Sequence, residues 1–227
     1  MIITIDGPAG SGKSTIAQRV AQQLWIYYLN TGMLYRAVAY LLFYDPCGVF
    51  HGNIEADISQ LTREQLDALP KVEYSYSAAG AAVAVRGQDF TQQLFAIAGI
   101  DQLASRVSAL PVVRAYLLDA QRDLAKKHDV IADGRDCGTV VFPHAQYKFY
   151  LTASVDVRAQ RRMQDAKTLA LGLTFDQVRA DVAARDERDE KREIAPLRIP
   201  TGAVVIDASD MTIDQVVERV IEVVERK

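Results

Sequence analysis

Cysteine is scarce: Cys47 and Cys137 are the only two in 227 residues. A disulfide framework is excluded for so few in so long a chain, and no spaced Cys/His set points to zinc. Long hydrophobic runs are missing too. A membrane span needs ~18 apolar residues, and LYRAVAYLLFY (34–44) is shorter and interrupted by Arg36. There is no basic excess; the formal net charge is -3, which disfavours a general nucleic-acid binder. Glycine and proline are neither abundant nor periodic, excluding collagen-like and low-complexity chains. No charged leader precedes an apolar stretch. A soluble, cytoplasmic monomer without membrane or nucleic-acid partners is expected. His51, His128 and His144 have no triad context and are expected at the surface.

What is present is an alternation of short apolar runs with helical patterns. MIITI (1–5), IYYL (26–29), DVIAD (129–133), YKFYL (147–151) and AVVID (203–207) read as strands. Ile16, Ala17, Val20, Ala21 and Leu24 fall on one helical face. Thr31 is a candidate cap for a helix running into the forties. Pro111 suits the first position of a helix reaching about Lys127. Thr174 to Gln177 and Thr212 to Gln215 fit capping boxes. Strands separated by helices predict right-handed βαβ units around a parallel sheet. Residues 45–100 break the rhythm. There VEYSYSAAGAAVAVRG (72–87) reads as a hairpin turning near Gly80, an insert in the core.

Residues 7–15, GPAGSGKST, contain Gly7-x4-Gly12-Lys13-Ser14, the phosphate-binding loop pattern, between a strand and an amphipathic helix. Its glycines let backbone N–H groups turn inward as an anion nest, and the following helix aims its positive end at the same point. Lys13 supplies a point charge to the β- and γ-phosphates, and the Ser14 hydroxyl is a ligand for Mg²⁺. Gly7, Pro8, Ala9, Gly10, Ser11, Gly12, Lys13, Ser14 and Thr15 are therefore assigned to the polyphosphate of ATP, with Ser14 on the metal.

No N-K-x-D stretch marks a guanine reader, and no apolar strand ends in the Asp-Glu of motor ATPases. Instead one strand ends Asp133-Gly134-Arg135-Asp136. In open α/β sheets ligands sit at the carboxyl ends of strands, which puts this stretch beside the loop. Arg135 then reaches anionic oxygens and Asp136 serves a second ligand. Asp133 has two readings, strand-end turn residue or magnesium partner. Farther along, Arg185, Asp189 and Arg192 are spaced to share a helix face, with Arg158, Arg161 and Arg162 on the preceding helix. Phosphoryl transfer relies on positioning and cationic stabilisation, which an arginine-bearing lid provides while excluding water. Arg161 is a candidate for the donor nucleotide. Arg158 and Arg161 also have the plain reading of pairing with nearby acids.

IDGPAGSGKST, LNTGMLYRA (29–37), ASRVSALPVVR (104–114), IADGRDCGTVVFP (131–143) and ARDERDEKREIAPL (184–197) together resemble the bacterial cytidylate kinases, in family order along nearly the whole chain. The resemblance implies a P-loop three-layer α/β fold with a five-stranded parallel sheet. It implies a core of 1–44, 99–155 and 195–227, a monophosphate-binding insert at 45–98 with a small antiparallel sheet, and a helical lid at 156–194. Activity would be direct in-line transfer from ATP to CMP or dCMP. Thr31, Tyr35 and Arg36 would line the acceptor site, with Arg36, Arg135 and Arg192 around the acceptor phosphate. Ser105, Arg114 and Asp136 would read the base. Arg185 and Asp189 would reach the ribose, and the arginine also the phosphates. Lys13, Arg135, Arg185 and Arg192 would be catalytic.

Cytosine presents an amino donor at N4 and an acceptor at N3, so a carboxylate faces N4 and an arginine faces N3 and O2. Uracil swaps both groups, and buried polar pockets reject such a swap. Plain readings stand beside these roles: Tyr35 as core, Ser105 as a helix-start hydroxyl, Arg114 as a surface cation. One departure from the family pattern is Phe95 in DFTQQLF (89–95), where an arginine is common. A kinase of UMP or AMP, or a nucleotide-binding switch without transfer, remains open. An acceptor assay separates these readings.

Overall fold

A computed structural model describes residues 1–44, 58–97, 99–165, 168–169 and 171–226. Cys47, His51 and the start of the expected insert lie outside the described residues. Along the chain run β1 (Ile2–Asp6), α1 (Lys13–Leu24), β2 (Tyr27–Asn30) and α2 (Thr31–Phe43). Next come α3 (Arg63–Asp67), β3 (Val72–Ser77), β4 (Gly80–Val85), β5 (Gln88–Asp89), α4 (Thr91–Ala96), α5 (Ile100–Val107) and α6 (Pro111–Lys127). Then follow β6 (Val130–Gly134), β7 (Tyr147–Thr152), α7 (Val155–Met163), α8 (Phe175–Lys191), β8 (Val204–Asp207) and α9 (Ile213–Glu225). Among the described residues, no helix is long and apolar enough to cross a membrane.

The main sheet has the order β2-β6-β1-β7-β8, and β1 lies parallel to both β6 and β7. Its central strands are covered on both faces and carry near-continuous apolar runs for that reason. Register pairs Ile5 with Asp133 and Asp6 with Gly134, so the strands bearing the loop and the DGRD stretch end together. A second sheet, β3-β4-β5, is antiparallel.

By its internal contacts the chain forms two compact units: residues 1–26 with 129–227, and residues 27–128. In the first, α7 and α8 pack around Ala159, Val178 and Val182. In the second, Met33, Ala37, Val83 and Leu94 join α2 and α4 to the small sheet.

The capping boxes at Thr174 and Thr212 form as expected, and α6 starts at Pro111. Four details differ. Asn30, not Thr31, caps α2: it stands just before the helix with an extended backbone, and its Oδ1 accepts from the Met33 N–H. The hairpin turns at residues 78–79, and Gly80 is already the first residue of β4, with φ 111°. Ser105 lies in the last turn of α5, so it is no helix-start hydroxyl. Arg192 follows α8 with an extended backbone, so it leaves the helix face that carries Arg185 and Asp189.

Candidate active site

Gly7 follows β1 with φ 151°, and a Cβ there would lie 2.0 Å from the Leu151 carbonyl oxygen. Only glycine allows the loop to leave the sheet at that point. The loop then folds back on itself. Lys13 Nζ donates to the Pro8 carbonyl at 2.6 Å, and Ser11 Oγ donates to the same carbonyl at 3.1 Å. The helix α1 begins after Gly12 with no side-chain cap, so its first amides face the loop.

Arg158 braces the loop from behind. It is 4% exposed, donates to the carbonyls of Ala153 (2.8 Å) and Ala9 (3.0 Å), and pairs with Asp186 at 2.6 Å. Arg161 donates to the carbonyls of Ser11 and Ala208. Arg158 and Arg161 thus both hold backbone, and Arg158 takes an acid as well.

The DGRD stretch meets the loop within the same unit. Ser14 Oγ donates to Asp133 Oδ2 at 2.7 Å. A hydroxyl and a carboxylate side by side are hard oxygen donors of the kind Mg²⁺ takes along with substrate phosphates, so these residues fit that ion. Arg135 Nε donates to Asp189 Oδ2 at 2.7 Å, and Arg192 Nη2 lies 3.5 Å from Asp136 Oδ1. Burial lowers the Lys13 pKa well below its ordinary value, and the nearby charges of Arg135 and Arg185 push the same way. Burial works to raise the Asp189 carboxyl, but Arg135, Arg185 and Arg192 outweigh it and hold the pKa below the usual range. Lys13, Arg135, Arg185, Asp189, Arg192 and Asp136 therefore form one charged group around the loop.

The second unit gathers its own set. Tyr35 and Arg114 are buried, and the Arg114 guanidinium lies 5.7 Å from the Tyr35 ring centroid. Arg114 Nη1 also donates to the Ser108 carbonyl at 3.0 Å. The surface reading of Arg114 is therefore overturned: its stem and head are held between α2 and the α5–α6 corner. Thr31 is buried at the start of α2, and Ser105 is half-buried. Arg36 pairs with Asp101 at 2.6 Å. His128 and His144 are exposed, as expected, although His128 stacks on Tyr27.

Three acids escape the sequence reading. Asp6 is fully buried and accepts from the amides of Cys137 and Gly138, each at 2.7 Å. Those bonds pin a single π-type turn, Cys137–Val141, directly after Asp136. Burial raises the Asp6 carboxyl to about 7, against the pull of the two amides. Its place at the end of β1, immediately before the loop, is the available signal. Asp186 stands beside Arg185 in the charge run, and Asp101 stands one helical turn before Ser105.

A family model described as cytidylate kinase matches residues 3–226. A cytidylate kinase of Salinibacter ruber is 40% identical over 228 residues, covering 98% of this chain and 96% of its own. One from Thermotoga maritima is 36% identical over 226 residues, covering 99% and 97%. One from Chlamydia trachomatis is 37% identical over 224 residues, covering 99% and 98%. Among solved structures, an uncharacterized protein from Eubacterium ventriosum gives a TM-score of 0.56 at 12% identity, covering 100% of this chain and 99% of that one, a likeness of fold alone.

Proposed function

The chain belongs to the cytidylate kinase family, and from that premise we propose that it transfers the γ-phosphoryl group of ATP to CMP and dCMP. The observation that carries the reading is the charge group around Lys13, to which Arg135, Arg185, Asp133 and Asp189 contribute from the distant half of the sequence. In the transfer, an oxygen of the acceptor phosphate forms the new P–O bond. The bond from the γ-phosphorus to the β–γ bridging oxygen breaks, and ADP leaves. The attacking oxygen is already ionised, so no general base is required. The rate comes from alignment and from cations placed where charge spreads in the transition state.

Lys13 and the loop amides hold the β- and γ-phosphates, with Arg161 securing the loop backbone on the donor side. Arg185 and Arg192 meet the transferring group, and Asp189 orients Arg135. Ser14 and Asp133 would hold Mg²⁺, which neutralises the phosphate oxygens when bound. For the acceptor, Asp136 takes the cytosine 4-amino group. Thr31, Tyr35, Arg36, Ser105 and Arg114 supply the acceptor contacts of the second unit, with Arg36 on the phosphate. In this reading 45–98 is the acceptor-binding insert and 156–194 the lid. The enzyme acts as a cytoplasmic monomer in pyrimidine nucleotide metabolism.

An acceptor panel with ATP and magnesium tests the reading. Diphosphate formation from CMP and dCMP, well ahead of UMP and AMP, is expected. Strong turnover of AMP with CMP inert would overturn the base assignment. Nucleotide binding with ATP loss no faster with CMP than without would reduce the protein to a switch.

A further inference from the structure

An arginine that binds a phosphate through a flexible stem has many rotamers to lose on binding. In the second unit, Arg36 is already held on several sides. Asp101 Oδ1 lies 2.7 Å from its Nε and 2.6 Å from its Nη2, so the carboxylate occupies one edge of the guanidinium. The Phe95 ring lies against the guanidinium, with its centroid 5.5 Å from the central carbon. Near Nη1 sits Gly32, where a Cβ would come within 3.0 Å of that nitrogen. The absence of a side chain at residue 32 thus leaves room for the Nη1 end. The Arg36 side chain is 19% exposed and that of Asp101 30%, so the contacts are partly shielded from water.

We propose that Asp101 and Phe95 are positioning residues for the acceptor phosphate, acting through Arg36. Asp101 fixes the plane of the guanidinium by its Nε–Nη2 edge, and Phe95 limits its swing. The opposite end, at Nη1, is presented to the acceptor. Phe95 has no charge of its own to offer an anion; its contribution is to the geometry of the cation beside it. A guanidinium fixed in this way loses less freedom when phosphate arrives, which lowers the cost of binding. The competing possibility is that Asp101 shields Arg36 and opposes phosphate binding, which has the opposite sign. This inference rests on the proposed role of Arg36 toward CMP.

Initial rates with CMP and ATP varied separately test it, using Asp101→Asn, Phe95→Leu, Arg36→Lys and the Asp101→Asn/Arg36→Lys pair. Asp101→Asn should raise the KM for CMP about tenfold, the equivalent of ~1.4 kcal/mol, while kcat and the KM for ATP move less than about twofold. Phe95→Leu should raise the same KM roughly threefold, in keeping with a partly exposed cation–π contact. In the Arg36→Lys background, which cannot present the same edge, Asp101→Asn should change that KM by less than about twofold. An unchanged or lowered KM in Asp101→Asn overturns the proposal. So does an equal penalty in both backgrounds, which would mark a general structural role. Wild-type protein without CMP-dependent turnover would instead sink the functional reading beneath it.

Discussion

Replacing Arg158 by methionine removes the charged head that joins the loop to α8 and keeps much of the stem. The head makes two hydrogen bonds to carbonyls, Ala153 and Ala9, and one ion pair, with Asp186. The side chains of the pair are only 5% and 13% exposed, so solvent screens them little. Breaking such a pair from one side leaves a buried carboxylate unneutralised, at a cost of about 3–5 kcal/mol. For a chain of this length each kcal/mol lowers Tm by roughly 2–4 °C, so 3 kcal/mol corresponds to a fall of roughly 6–12 °C. Calorimetry and urea unfolding of Arg158→Met measure both quantities. The loop packs directly on this residue: a Cβ on Gly10 would stand 3.3 Å from Arg158 Cβ. A raised KM for ATP should therefore accompany the lost stability. In Arg158→Met/Asp186→Leu, where no charge is stranded, most of the stability should return. A single variant within about 0.5 kcal/mol of wild type, the range of ordinary surface changes, would refute the reasoning.

Burial lifts the Asp6 carboxyl from 3.8 to about 7 on folding. A raised carboxyl adds stability that is full below the unfolded value and is lost as pH climbs through the folded one, at about 1.4 kcal/mol per pH unit between them. The urea midpoint of wild type should thus fall relative to Asp6→Asn between about pH 4 and about pH 7, and a wild-type midpoint that stays level or rises relative to the variant contradicts the assignment. Asp136→Ala should erode the preference for CMP over UMP while the KM for ATP stays close to wild type; equal loss for both acceptors would reject the pairing with the 4-amino group. Ser14→Ala should raise the magnesium concentration for half-maximal rate, measured by titration at saturating nucleotide, and an unshifted curve would remove Ser14 from the metal.

Much of this was readable from the residues. The five strands of the main sheet fall where apolar runs end in polar or glycine residues, because buried parallel strands leave little choice of composition. The loop was legible because each of its residue types has one chemical reason to be there. What escaped were contacts made at a distance. Asp6 reads as an ordinary strand end until the amides of Cys137 and Gly138 close on it. Arg192 shares the helical spacing of Arg185 and Asp189, yet the helix stops one residue earlier and it turns toward Asp136. Spacing along a helix cannot announce where the helix ends when Pro196 lies several residues beyond. The pairing of Arg36 with Asp101 joins α2 to α5 across a long stretch of chain, and no local pattern marks it.

The central claim is that Lys13, lodged in the loop among Arg135 and Arg185, holds the phosphates during transfer. The direct measurement is CMP-dependent ADP formation by Lys13→Ala, with circular dichroism run alongside to show that the variant is folded. The account predicts a folded protein whose transfer rate is down by about a thousandfold or more, as expected when a preorganised charge is taken from a transition state. A folded variant that keeps most of the wild-type rate would contradict it.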